Sequence, residues 1–131
     1  RAALPAGAIG IGRTDSVEEL AALYSAADML VNPTLEDNFP TVNLEALACG
    51  TPGVTFRTGG SVESVDDATG RVADKGGPES LAAAVRDIKT RGKPAFTAAC
   101  RERAERLYDQ RQTYAQYGRL YRELCGGTPE E

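Results

Sequence analysis

Histidine is absent from the 131 residues, which excludes a Ser-His-Asp or Cys-His nucleophilic site and any His-ligated metal within this chain. The three cysteines, Cys49, Cys100 and Cys125, have neither metal-ligand spacing nor an even count, a usage that suits a reducing compartment. No apolar run approaches the roughly 20 residues needed to span a bilayer, and neither a transmembrane helix nor a signal peptide is expected within these residues. Bases are scarce in the first part of the chain. Residues 1–79 carry twelve acidic against five basic side chains, a net of −7, whereas residues 80–131 carry ten basic against seven acidic, a net of +3. An acidic surface argues against nonspecific nucleic-acid binding, which depends on phosphate neutralisation by clustered Lys and Arg. Any chemistry here must run on carboxylates, amides and arginines.

The length fits one domain that buries about two-thirds of its unfolded surface. Short β-type runs alternate with amphipathic helices. Ala8 to Gly12 reads as a strand, and Val17 to Ala27 as a helix capped by Ser16, with Leu20, Leu23, Tyr24 and Ala27 at helical spacing. Met29 to Asn32 reads as a buried strand, Pro40 to Cys49 as a helix, and Val54 to Arg57 and Gly70 to Ala73 as strands. A helix over Pro78 to Lys89 follows, then helix from Ala95 to about Leu124, broken near Tyr108-Asp109. This alternation implies a parallel sheet in an α/β layer fold. Tyr114, Tyr117, Leu120, Tyr121 and Leu124 form a stripe at helical spacing, expected to pack on a core or a neighbouring domain, with a sugar-stacking platform as the alternative. Cys49 is expected in the core, and Asp28, Asp66 and Asp67 in turns or caps.

The stretch Glu36 to Pro52, EDNFPTVNLEALACGTP, carries the most information. Asp37 and Glu45 are separated by seven residues; Pro40 stands near the first helical position, and Gly50 with Pro52 ends the helix. Backbone N–H groups near Thr41, Val42 and Asn43 would face any anion docked at the helix entrance, where the dipole adds roughly half a positive charge. A phosphate fits there. One turn further, Glu45 can offer two oxygens to the vicinal hydroxyls of a ribose. Asp37, in the preceding loop, then faces the sugar beyond the diphosphate. Ordinary readings stand beside these: Glu45 as a satisfied helix carboxylate, Asp37 with Asn38 as a helix cap or loop-ordering group, and Glu36 as a solvated neighbour. The Thr58-Gly59-Gly60-Ser61 segment leaves a strand end and permits close backbone approach, though a Gly pair by itself often means only a turn. Arg13 and Arg57, read as following strand ends, are candidates for phosphate contact or for surface pairing.

With these residues, from about Ile9 to Ile88 and through LYSAADMLVNPT before the motif and FRTGGSVESV after it, the chain resembles the family 4 retaining glycosyltransferases of the GT-B fold. It departs from that pattern at Asp37, where Glu is usual and one more methylene gives about 1.5 Å of extra reach. It departs again at Asn38-Phe39-Pro40, where glycines are common, and at Gly53 and Val62, where Val and Pro are usual.

The resemblance implies a Rossmann-like parallel-sheet domain, the second half of a GT-B C-terminal domain, with residues 1–94 as its donor-binding α/β part and 95–131 as its C-terminal helices. It implies transfer of a sugar from a nucleoside diphosphate sugar to an acceptor hydroxyl, on a glycan or a lipid-linked sugar, as in polysaccharide biosynthesis. Asp37 and Glu45 are then the catalytic carboxylates. Glu36, Asn38, Phe39, Pro40, Thr41, Val42, Glu45, Gly59 and Gly60 bind the donor, and Glu63 helps to frame the pocket. No metal or other cofactor is expected. An acceptor domain and two strand–helix units with diphosphate-binding bases are expected outside residues 1–131, so that these residues alone are inactive. The expected location is cytoplasmic, with peripheral attachment to the inner membrane face left open for the longer protein. A GT-B sugar-nucleotide epimerase, or a non-enzymatic α/β assembly module, are the alternatives.

Overall fold

The computed structural model describes residues 4–126, so Arg1 and the end of the C-terminal segment lie outside it. The chain runs α1 (Val17–Ala26), β1 (Leu30–Asn32), α2 (Thr41–Ala48), β2 (Gly53–Phe56), α3 (Ser61–Ser64), β3 (Gly70–Ala73), α4 (Pro78–Arg91), α5 (Pro94–Tyr108) and α6 (Gln110–Leu124). The strands form one parallel sheet in the order β1-β2-β3, with Val31 opposite Val54 and Val54 opposite Arg71. Each strand is followed by helix, which is what parallel pairing requires of the connections.

Helix boundaries follow local chemistry. Ser16 accepts a hydrogen bond from the Glu19 amide at 3.0 Å, and the Glu19 carboxylate reaches back to the Asp15 amide at 3.0 Å, a close variant of the capping box. Pro78 and Pro94 occupy the first turns of α4 and α5, where a missing N–H costs nothing. Asp109 leaves helical geometry (φ −63°, ψ 120°), and its carboxylate accepts from the amides of Arg111 and Gln112. That cap both breaks the long C-terminal helix and starts α6.

The core gathers Leu47 of α2, Val54 of β2, Ile88 of α4, and Phe96, Cys100 and Ala104 of α5. Helix α5 therefore closes the unit by packing on α2, while α4 packs on β2 and β3. The Arg71 and Arg91 guanidinium carbons sit 5.5 and 5.4 Å from the Phe96 ring centroid, covering the rim of this core with cation–π contacts. Burial, and secondarily the nearby Asp66, push the Cys100 thiol up to about 12, against an opposing effect of Lys93. Because the folded value is raised, the stabilisation is complete below the ordinary thiol value of 9.0 and is lost as pH rises toward 12. At about pH 8 a thiol reagent is expected to label exposed Cys125 first, half-buried Cys49 more slowly, and Cys100 only on unfolding. Mass-spectrometric peptide mapping checks the order, and rapid labelling of Cys100 in the folded protein would contradict this packing.

Several expectations need correction. Residues 8–12 form no strand: Ile9 and Ile11 are exposed, and among the described residues nothing offers them a hydrogen-bonding ladder. Arg13 therefore does not follow a strand end. Strand β1 is not buried; Val31 is 40% exposed, because β1 lies at the edge of the sheet. Cys49 is only half-buried, at the C-cap of α2. The α6 stripe does not meet this core: Tyr114, Tyr117, Leu120, Tyr121 and Leu124 are all exposed, and Tyr117 and Tyr121 stack on each other at 6.4 Å. Helix α3 is a single turn that sequence periodicity does not reveal.

Candidate functional site

The Glu36 to Pro52 segment folds as a loop and helix entrance at the carboxyl ends of β1 and β2, then helix α2 and a turn that returns to the start of β2, where the Pro52 carbonyl accepts from the Leu30 amide. Helix α2 starts after Pro40, whose extended backbone (φ −71°, ψ 112°) serves as N-cap without any side-chain hydrogen bond to the first turn. Thr41 and Val42 are exposed, whereas Pro40 is buried. The helix thus presents an entrance that its own side chains leave uncapped, with the positive end of the dipole facing outward.

Asn43 fixes that entrance in place. Its Oδ1 accepts from Asn32 Nδ2 at the end of β1 (3.0 Å), and its Nδ2 donates to Ser64 Oγ of α3 (2.8 Å), which in turn donates to the Ser61 carbonyl (2.6 Å). The amide is 2% exposed, and both of its ends are used. Thr55 and Thr58 hydroxyls donate to the carbonyls of Asn32 and Thr34, binding the β1–α2 loop to the end of β2.

The loop itself is clamped. Asp37 Oδ1 accepts from the Phe39 amide at 3.0 Å, an Asx turn that orders the approach to the helix. The Gly60 amide donates to the Asn38 carbonyl at 2.8 Å. A Cβ on Gly59 would lie 2.0 Å from the Asp37 carbonyl oxygen, and one on Gly60 would lie 2.1 Å from that of Asn38. Gly59 also sits at φ +42°. The glycine pair is therefore a close-approach device, and it joins the Asp37 loop to the turn after β2. Phe39 packs edge-on against Tyr108 (centroids 5.9 Å apart), and the Tyr108 hydroxyl donates to the Glu63 carbonyl at 2.9 Å. Arg103 donates to the carbonyls of Glu63 and Ser64 and pairs with Asp66 at 2.5 Å. Asp66 also accepts from the Ala68 amide and the Thr69 hydroxyl, as a turn residue should.

Glu45 lies one turn into α2, half-buried, and its Oε2 accepts from the Tyr24 hydroxyl of α1 at 3.0 Å. It is not satisfied by local backbone amides. It also forms part of the wall of a cavity of about 310 Å³ between α2 and α5, together with Leu44, Ala48, Ala104 and Tyr108. Burial, followed by the hydrogen bond and the charge of Glu45, pushes the Tyr24 phenol up to about 12, so it remains a donor at any ordinary pH.

The structure therefore brings Asp37, Asn38, Phe39, Gly59 and Gly60 together directly, and joins them to the α2 entrance at Pro40, Thr41 and Val42. Glu36 is exposed beside them, its carbonyl accepting from the Thr34 hydroxyl. Arg57 is exposed at the end of β2, within reach of solvent ions. Sequence reasoning did not single out Asn43, Tyr24, Arg103 or Tyr108 as supports of the site. Asn43 stood inside the motif, but Tyr24 showed only as one member of an apolar stripe. Among the described residues no group of three His, Cys, Asp or Glu is placed to hold a metal ion, and no helix is long and apolar enough to cross a membrane.

A profile of the family described as Glycosyl transferases group 1 matches residues 3–90, more than half of the chain, including the Asp37 loop, α2 and the glycine pair. The chain belongs to that family. As a group 1 glycosyl transferase domain it is 44% identical over 68 residues to a D-inositol 3-phosphate glycosyltransferase of Salinispora arenicola, covering 46% of this chain and 15% of that protein. It is 38% identical over 86 residues to a GDP-mannose-dependent alpha-(1-6)-phosphatidylinositol dimannoside mannosyltransferase of Mycobacterium tuberculosis, covering 66% of this chain and 22% of the other. Its fold is similar to that of sucrose-phosphate synthase from Thermosynechococcus elongatus, with a TM-score of 0.73 and 33% identity over 83% of this chain and 28% of that one. The chain thus spans about a fifth of the length of such relatives. The α/β fold with a parallel sheet and a helical C-terminal segment is that of a GT-B glycosyltransferase part, as the sequence implied.

Proposed function

We propose that this domain is the donor-binding part of a glycosyltransferase that moves a sugar from a nucleoside diphosphate sugar to an acceptor hydroxyl with retention of configuration. The observation that carries the reading is the uncapped α2 entrance, held by Asn43 and abutted by the Asp37 loop that Gly59 and Gly60 lock in place. The donor diphosphate docks on the amides of Thr41 and Val42, the ribose on Glu45, and the transferred sugar beside Asp37 and Phe39. Preorganised amides stabilise the charge that develops on the leaving diphosphate and need no reorganisation as the bond breaks. Arg57 adds a cation from the neighbouring strand end, and the acceptor, a glycan or a lipid-linked sugar, is presented from outside residues 4–126. The chemistry uses no metal or cofactor from this domain. The protein works in the cytoplasm.

Asp37 separates two roles in one experiment. If its carboxylate stabilises positive charge on the transferred sugar, Asp37→Asn in the full natural chain lowers kcat more than it raises the donor KM, and Asp37→Glu is tolerated. If Asp37 only orders the loop through its bond to the Phe39 amide, Asn substitutes for it with near-native kcat, and Ala costs about 1 kcal/mol of stability. Steady-state kinetics with a thermal melt decides between them. Formation of an epimer of the donor sugar, with no glycoside, would assign the chain instead to a sugar-nucleotide epimerase.

A further inference from the structure

The Glu45 side chain has three rotatable bonds, and a long carboxylate aimed at a ribose diol gains little unless its rotamer is already fixed before the donor arrives. On this chain a group outside the motif does the fixing. We propose that Tyr24 is a positioning residue for the donor: its hydroxyl holds Glu45 Oε2 and leaves Oε1 to receive the ribose hydroxyls. The inference rests on the donor-site reading above and adds to it a residue that the Asp37–Glu45 motif does not contain.

Three observations support it. The hydrogen bond crosses between two helices, from α1 to α2, at 3.0 Å, and spans 21 residues of sequence, so it is no accident of local helix geometry. No other hydrogen bond to the Glu45 carboxylate forms among the described residues, which leaves Oε1 as the acceptor still to be used. Tyr24 is itself anchored at a second point, because the Thr51 hydroxyl, just beyond α2, donates to the Tyr24 carbonyl at 2.6 Å. The backbone of Tyr24 is thus tied to the far end of the same helix whose carboxylate its side chain holds. The phenol, raised to about 12, keeps its proton under assay conditions and so remains a donor.

A phenol that only filled space between α1 and α2 would be replaced by phenylalanine without consequence for the donor. Tyr24→Phe in the full natural chain is instead expected to raise the donor KM and Kd about three- to tenfold with kcat within about twofold, since Glu45 contacts donor and transition state alike. The ring stays, so the melting temperature should fall by only a few degrees, and a folded variant is available for measurement. In a Glu45→Gln background the same substitution is expected to add less than about twofold, because the group it positions has lost its charge. An unchanged donor KM for Tyr24→Phe overturns the inference, and so does an effect that multiplies fully with that of Glu45→Gln. If Glu45→Gln alone leaves donor binding untouched, the donor-site reading fails as well; if Glu45→Gln weakens binding while Tyr24→Phe does not, only the role of Tyr24 falls.

Discussion

Glu45→Gln is expected to weaken donor binding by roughly ten- to a hundredfold, the equivalent of about 1.5 to 3 kcal/mol for a charged hydrogen bond to a diol. The fold should survive, because the glutamine carbonyl can still accept from the Tyr24 hydroxyl that now holds Oε2. Glu45 is half-buried at the edge of a cavity, so its charge is not left uncompensated in the interior and its removal releases no large penalty elsewhere. Calorimetric titration of the full natural chain with a nucleoside diphosphate sugar measures the effect. An unchanged dissociation constant would mean that the carboxylate serves only to tie α2 to Tyr24.

Gly60→Ala is expected to damage both stability and turnover. Its Cβ would sit 2.1 Å from the Asn38 carbonyl oxygen and 3.0 Å from the Phe39 ring, and backbone cannot yield as the tip of a flexible side chain can. The clash also strains the 2.8 Å bond from the Gly60 amide to Asn38, so the Asp37 loop must lift away from the turn after β2. Overpacking of this kind costs about 1 to 3 kcal/mol, which lowers the melting temperature of a domain of this size by roughly 4 to 11 °C. Gly118→Ala is the control: Gly118 lies in α6, where an added methyl would meet no atom within 4 Å, and there alanine should be neutral or mildly stabilising. A Gly60→Ala protein that melts and turns over like the native one would show that the glycine pair does not lock the loop.

Much of this fold was legible because its signals are local. Ser16 before α1 and Asp109 between α5 and α6 act through bonds to amides within one turn, the prolines in the first turns of α4 and α5 act through their fixed φ and missing N–H, and the boundaries fall where those residues stand. The local structure of the Asp37 to Glu45 stretch was legible for the same reason, since loop, helix entrance and carboxylate all lie within one short stretch. Elements whose state depends on distant partners were not. The Ala8 to Gly12 run has strand-like composition, but composition cannot supply a neighbouring strand, and none pairs with it among the described residues. The Tyr114 to Leu124 stripe is amphipathic, yet its apolar face points away from the core of α2, α4 and α5. The supports of the site come from far along the chain: Tyr24 reaches Glu45 across 21 residues, and Tyr108 reaches Glu63 across 45. A hydroxyl in an apolar stripe gives no sign in sequence of the carboxylate it will meet.

Hydrogen exchange on the full natural chain, with and without a saturating nucleoside diphosphate sugar, tests most directly whether a donor sits on the α2 entrance. Donor binding there should slow exchange in peptides covering Asp37 to Glu45 and Gly59 to Ser61, with the protection lost in Glu45→Gln at the same donor concentration. Protection confined to α6, or none in the Asp37 to Glu45 peptide at a concentration that saturates turnover, would contradict the assignment of this site.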